Sequence, residues 1–135
     1  MKKYNLIVVI NQDITKVLMC QRKKHPYIGM YNLIGGKKEN DNGLKEAYRE
    51  LLEETSITKK DIDLRHIMNI EYLFLDKYLE VYYGILKNDV KVIPEVNELK
   101  WVDMNDNFFD VNKYAGEGNI GHIIEEVRKV INNDK

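Results

Sequence analysis

Four glutamates in the middle of the chain, Glu46, Glu50, Glu53 and Glu54, are the strongest candidates for chemistry. On a helix, at about 100° per residue, they fall on one side. The opposite side is apolar and consists of Leu44, Ala47, Tyr48, Leu51 and Thr55. Like charges at this spacing repel each other, and the helix dipole disfavours acids in the last turn. Because hard cations such as Mg²⁺ prefer carboxylate ligands, the last three glutamates indicate a divalent-cation site, with a solvated acidic face as the alternative.

The acidic helix follows two glycines and a polar stretch, and the spacing of the whole region resembles the box of the Nudix hydrolases. That box runs Gly, five residues, Glu, seven residues, then Arg-Glu-U-x-Glu-Glu-x-Gly-U, where U is aliphatic. The matching residues here are Gly35, Arg49, Glu50, Leu51, Glu53, Glu54 and Ile57. The resemblance extends over essentially the whole chain and implies the family's fold.

Three positions depart from the family pattern. Asp41 stands where the box has its first Glu, and Ser56 stands where a glycine follows the helix. If Gly36 rather than Gly35 is the box glycine, the loop is one residue short. We expect a non-glycine residue in a left-handed helix cap to cost about 1 kcal/mol.

The resemblance implies metal-dependent hydrolysis of a nucleoside diphosphate linked to another group. Glu53 and Glu54 would be the principal ligands of Mg²⁺, or of Mn²⁺ as the alternative, with a backbone carbonyl at Gly35 or Gly36. Glu50 would be a further ligand or the general base, and the sequence does not separate these roles.

Three more positions of the implied site come from the same resemblance. Arg49 would orient Glu50 through a charge-assisted bond, so that Arg49, Glu50 and Glu53 form the catalytic set. Asp41 would hold Arg49 or a metal-bound water. Either Glu95 or Glu98, in the loop before Trp101, would join the metal site, and spacing favours Glu95.

Arg22, Asn32 and Asn119 are the candidate substrate-binding residues. Arg22 lies in a basic cluster, residues 21–25, at the end of a predicted strand. Its guanidinium can bind a phosphate through two parallel hydrogen bonds, and a solvated loop is the alternative interpretation of the cluster. Each asparagine amide offers a donor and an acceptor to a base edge. The short chain is similar to the MutT-type branch, which implies cleavage of a nucleoside triphosphate to the monophosphate and pyrophosphate. Hydrolysis of ADP-sugars or dinucleoside polyphosphates is the alternative reaction, and a Nudix-like domain that binds a nucleotide without cleaving it is the alternative class.

Hydrophobic patterning predicts the elements that position these residues. We expect strands near 4–10, 16–22, 31–34, 79–86 and 99–102, at least one strand within 62–73, and helices over 44–55 and 120–131. The first two strands are predicted to form a hairpin. A mixed sheet between helices, the α/β/α sandwich of the Nudix fold, accommodates this order.

Composition limits the function further. At 135 residues the chain is expected to be one domain, 1–135, and a formal net charge of −1 argues against binding a nucleic acid polymer. A single cysteine, Cys20, fits a reducing, cytoplasmic setting. No apolar run is long enough to predict a membrane span, and a homodimer is one oligomeric state that the sequence leaves open.

Overall fold

The computed structural model describes residues 1–39 and 42–133, and this part of the chain forms six strands and two α-helices. The strands are β1 (Lys2–Ile10), β2 (Lys16–Gln21), β3 (Tyr31–Lys37), β4 (Arg65–Tyr72), β5 (Lys77–Ile85) and β6 (Glu98–Asp103). The helices are α1 (Gly43–Thr55) and α2 (Asn119–Asn133), and a single 3₁₀ turn at Leu73–Leu75 joins β4 to β5. Within the described ranges, no helix is long and apolar enough to cross a bilayer.

The six strands form one mixed sheet in the order β4-β5-β1-β3-β2-β6. Strands β1 and β5 are parallel, and the other neighbours are antiparallel. The predicted hairpin between β1 and β2 is wrong over most of its length, because the two strands pair only at Ile10 and Val17. Beyond that pair, β3 lies between them and takes hydrogen bonds from both.

A helix covers each face of the sheet. Alternating side chains of β1 separate the core into two layers, with Ile7 and Val9 on the α1 side and Val8 and Ile10 on the α2 side. The apolar stripe of α1 contributes Ala47 and Leu51 to the first layer. The second layer includes the buried face of α2, formed by Ile120, Ile123, Ile124, Val127 and Ile131. The predicted α/β/α sandwich is confirmed.

The two glycines lie inside strand β3, whereas the sequence predicted that the strand would end at Ile34. Gly35 pairs with Leu6 and Gly36 with Asn5 of β1. A Cβ atom on Gly35 would lie 2.0 Å from the backbone oxygen of Asn5. The glycines therefore allow β3 to continue against β1 at a point where a side chain has no room.

Polar contacts fix the start of α1 above the sheet. The Asn42 side chain caps the helix by accepting a hydrogen bond from the Lys45 N–H at 3.1 Å. Gly43 packs so closely on β5 that an added Cβ would lie 2.0 Å from a Glu80 carboxylate oxygen. That carboxylate is held in turn by Lys38 Nζ at 2.8 Å, in a pair whose lysine side chain is 4 % exposed. The helix that carries the acidic cluster therefore begins at a defined place.

Ser56 ends α1 in the left-handed conformation, with φ of 66°, and its N–H donates to the Leu52 carbonyl at 3.0 Å. This is the conformation for which a helix end prefers glycine, because a Cβ atom is strained there. The Ser56 residue is exposed, so little packing opposes its replacement.

We expect Ser56→Gly to raise the free energy of unfolding by up to about 1 kcal/mol, as measured by urea denaturation. Ser56→Ala is the matched control, since it removes the hydroxyl but keeps the strained Cβ, and it should give no gain. A loss of stability in both variants would show instead that the hydroxyl makes a stabilising contact.

Candidate active site

Glu54 is held against the glycine strand. Its Oε2 atom accepts a hydrogen bond from the Gly35 N–H at 3.1 Å. Burial is the main cause that raises the pKa of Glu54 to about 7, and the negative charges of Glu50 and Glu95 add to the increase. The Gly35 N–H opposes the shift. A carboxylate in this position is poorly solvated and gains from a cation.

Glu50 lies over the second glycine. A Cβ atom on Gly36 would lie 2.6 Å from Glu50 Oε2, so the absence of a side chain at Gly36 makes room for the carboxylate. Glu50 Oε1 accepts from Arg49 Nη2 at 3.0 Å. Burial raises the pKa of Glu50 in spite of this contact with Arg49. The glycine pair thus contacts two of the predicted metal ligands, one through an amide and one through a close approach.

Arg49 connects the acidic residues of α1. Its Nη1 atom donates to both Glu53 oxygens, at 2.9 and 3.0 Å, and Nη2 donates to Glu50. Its Nε atom donates to Glu46 Oε2 at 2.6 Å. These acids raise the pKa of Arg49, and the hydrogen bond with Glu46 is the largest cause. The predicted contact between Arg49 and Glu50 is therefore present, together with two contacts that the sequence did not indicate.

A small cavity of about 60 Å³ adjoins Glu54, and its lining residues are Cys20, Glu54, Glu95, Val96, Asn97 and Leu99. Glu95 thus lies beside Glu54. Glu98, the other candidate, begins β6 and pairs with Gln21 at the edge of the sheet. The Cys20 thiol stays protonated near neutral pH, because burial and the Glu54 charge raise its pKa to about 11.

The carboxylates of this region fit a divalent cation by their chemistry. Glu50, Glu54 and Glu95 are close enough for the first and third to raise the pKa of the second, and all are oxygen donors of the kind that Mg²⁺ prefers. In residues 1–39 and 42–133, no three His, Cys, Asp or Glu side chains form a ready-made cation cluster. Glu50 and Glu53 bond to Arg49, and Glu54 bonds to Gly35. The side chains of Glu50, Glu53 and Glu54 would therefore have to change rotamer for their carboxylates to contact a cation.

The three predicted substrate-binding residues lie in different parts of the chain, and Arg22 lies in the loop that follows β2. Arg22 donates from Nε to the Pro26 carbonyl at 2.7 Å. Asn32 pairs with Cys20 in the ladder between β2 and β3, and its Oδ1 accepts from the Leu33 N–H at 2.8 Å. Asn119 begins α2 and donates from Nδ2 to the Tyr72 hydroxyl. No hydrogen bond joins the two asparagines in the described residues.

Glu46 is the residue that the sequence interpretation missed. Its place opposite the apolar side of the helix gave no indication of burial, yet the residue is 1 % exposed. The one available signal was its position three residues before Arg49, a spacing at which side chains meet on a helix. Asp41, which was assigned to support Arg49, lies outside the described residues.

Comparison with known proteins agrees with the motif. A family model described as the NUDIX domain matches residues 1–125. A search of curated proteins found no match.

Solved structures resemble the whole chain. An Ap4A hydrolase from C. elegans, in a binary complex, matches with a TM-score of 0.78 and 18 % identity over 98 % of this chain and 99 % of that one. The NUDIX domain of Shewanella oneidensis NrtR, complexed with ADP ribose, gives a TM-score of 0.71 and 21 % identity over 96 % and 87 %. A structure from work on MutT of Aliivibrio salmonicida and Vibrio cholerae gives 0.70 and 19 % over 95 % and 98 %. At these identities the likeness establishes the fold alone.

Proposed function

The chain belongs to the Nudix family, and from this premise we propose that it is a divalent-metal-dependent hydrolase that cleaves a phosphoanhydride bond in a nucleotide. The observation that carries the proposal is the two half-buried carboxylates at the glycine pair, Glu50 and Glu54, with the exposed Glu95 next to Glu54. Glu54 bonds to the Gly35 amide, Glu50 lies over Gly36, and Glu95 lines the cavity beside Glu54. Glu50 and Glu54 lie on α1 and both glycines lie on β3, and positions on a helix and a strand favour a site with defined geometry.

The residues that would hold Mg²⁺ are Glu50, Glu53, Glu54 and Glu95, with a backbone carbonyl at Gly35 or Gly36. When bound, a divalent cation offsets the charge of a diphosphate and lowers the pKa of water. Mn²⁺ has similar ligand preferences and is the alternative.

The chain's own residues would orient the reacting groups. The Gly35 N–H holds Glu54 toward the cavity at 3.1 Å. Arg49 holds Glu50 at 3.0 Å and thereby limits the rotamers open to that carboxylate. Glu50 would act as a ligand or as the general base, since a half-buried carboxyl with a raised pKa can accept a proton from water.

We infer that the substrate is a nucleoside triphosphate. Water would attack the α-phosphorus, the bond from this phosphorus to the α–β bridging oxygen would break, and the products would be a nucleoside monophosphate and pyrophosphate. Arg22 would contact the phosphates, and Asn32 and Asn119 would contact the base. Support comes from the free half of each amide, because Asn32 uses only its oxygen and Asn119 only its nitrogen in the contacts described above.

The test is a comparison of kcat/KM, with Mg²⁺, for purine, pyrimidine and oxidised purine triphosphates, ADP-ribose and diadenosine polyphosphates. We expect a triphosphate to be preferred and its base preference to change in Asn32→Ala or Asn119→Ala, since an unpaired amide costs about 1–3 kcal/mol. A tenfold preference for ADP-ribose or a dinucleotide would overturn the triphosphate proposal, as would two Ala variants with unchanged preference. Nucleotide binding without turnover would favour the binding module instead.

A further inference from the structure

Glu46 is a buried carboxylate on α1, the helix that also carries Arg49 and Glu50. It lies in the first turn of α1, is 1 % exposed and accepts a hydrogen bond from Arg49 Nε at 2.6 Å. Its second oxygen, Oε1, is buried and has no hydrogen-bond partner among residues 1–39 and 42–133. Burying a carboxylate is costly unless it is paired with a cation, so the contact with Arg49 is the interaction that keeps Glu46 inside.

Arg49 divides its donors among three acids. Nε bonds to Glu46, Nη1 bonds to Glu53 and Nη2 bonds to Glu50. The Glu53 side chain is 49 % exposed and Glu39, at 3.7 Å from Nη2, is 72 % exposed, so both can move. The Glu50 side chain is 12 % exposed. Glu46, at 1 %, is the most enclosed acid of this set.

We propose that Glu46 is the positioning residue of the site: it fixes the plane of the Arg49 guanidinium, and Arg49 in turn aims Glu50 and Glu53. The proposal rests on the function proposed above for the roles of Glu50 and Glu53. The guanidinium is planar, so a short bond at Nε together with the helix backbone determines where Nη1 and Nη2 point. A charge-assisted bond is about twice as strong as a neutral one, which explains a carboxylate rather than an amide at this position.

The first experiment measures Mn²⁺ binding to the full chain by electron paramagnetic resonance, without substrate. Glu46→Gln keeps the shape but removes the charge, and it should weaken Mn²⁺ binding roughly 10-fold, the lower end of the effect of losing an outer-shell partner. Glu46→Asp keeps the charge but draws it away from Nε, and it should act in the same direction. Glu126→Gln is the matched control, because Glu126 forms an i,i+3 pair with Lys129 on α2, and it should have no effect.

The second experiment tests whether Glu46 acts through Arg49. Arg49→Lys keeps the charge but removes the planar guanidinium and its separate Nε, Nη1 and Nη2 donors. Adding Glu46→Gln to this variant should therefore change Mn²⁺ affinity and kcat by less than twofold. In the otherwise unmodified chain, Glu46→Gln should lower kcat roughly 10-fold and leave KM within twofold. A merely structural role would not produce this dependence on Arg49.

Two outcomes would overturn the proposal: Mn²⁺ affinity and kcat within twofold of the original chain in both Glu46 variants, or a full additional loss from Glu46→Gln in the Arg49→Lys background. A failure of the proposed hydrolase function would give a different result from either of these outcomes. A chain that hydrolyses no nucleotide yet binds Mn²⁺ would contradict the hydrolase, and the binding comparison would still decide the role of Glu46.

Discussion

Replacing Glu54 with glutamine is expected to reduce Mg²⁺-dependent hydrolysis by roughly 100-fold or more, because a cation in such a site supplies several kcal/mol of charge stabilisation in the transition state. The side-chain oxygen of glutamine can still accept the hydrogen bond from the Gly35 N–H, so the backbone geometry of β3 is retained. Steady-state kcat with saturating Mg²⁺ measures the effect, and Glu126→Gln on the exposed face of α2 is the control. Full activity of the Glu54 variant in excess EDTA would contradict a metal site at this glutamate.

The same substitution is expected to stabilise the protein without metal. Because the folded state raises the pKa of Glu54 from 4.5 to about 7, the folded protein binds more protons than the unfolded one between these values. Its free energy of unfolding therefore falls as pH rises from about 4.5 to about 7 and stays low above that range. The Glu54→Gln variant has no carboxyl group to titrate at this position, so its unfolding free energy does not decrease in this way. At pH 8 it should therefore exceed that of the unsubstituted protein by about 1–3 kcal/mol.

Thermal unfolding at pH 5 and pH 8, in EDTA, measures the difference. The gain should be present at pH 8 and much smaller at pH 5, and saturating Mg²⁺ should restore stability to the original chain but not to the variant. An equal difference at both pH values would show that titration of Glu54 is not its cause.

Gly36→Ala is expected to retain the fold and lose activity by roughly 100-fold, the effect of a misplacement of about 1 Å at a reacting group. The added Cβ would lie 2.6 Å from Glu50 Oε2, and the side chain of Glu50 is the part that can move. The φ angle of Gly36 is not in the left-handed region, so alanine is not strained there. The unfolding free energy should change by less than about 1 kcal/mol.

Gly35→Ala is the neighbouring comparison, and the opposite result is expected. Its Cβ would lie 2.0 Å from the Asn5 carbonyl oxygen, which is backbone and cannot move without separating β1 from β3. We expect a loss of more than about 3 kcal/mol in urea denaturation. Wild-type kcat in Gly36→Ala, or unchanged stability in Gly35→Ala, would contradict the assignment of these two contacts.

Local patterns in the sequence were sufficient for the elements of the fold. The 3.6-residue period of apolar residues predicted both helices, and short apolar runs between turn residues predicted most of the strands. The order of the strands was not available from these patterns. Hydrogen bonding between β1 and β3 joins residues about 30 positions apart. This pairing takes the place of the β1–β2 hairpin that the order of the strands in the sequence suggested.

The sequence by itself determined the family: the spacing of Gly35, Arg49, Glu50, Glu53 and Glu54 indicated it, and the family model confirms it. Only the tertiary structure decided how these residues are held. Periodicity describes one helix in isolation, so it placed Glu46 on the acidic side without indicating that the folded chain encloses it. The sequence favoured Glu95 over Glu98 by spacing alone, whereas their surroundings appear only in the folded chain, where Glu95 lies beside Glu54 and Glu98 lies at the sheet edge. The reason is physical: burial and mutual approach depend on residues distant in the chain, which local patterns do not contain.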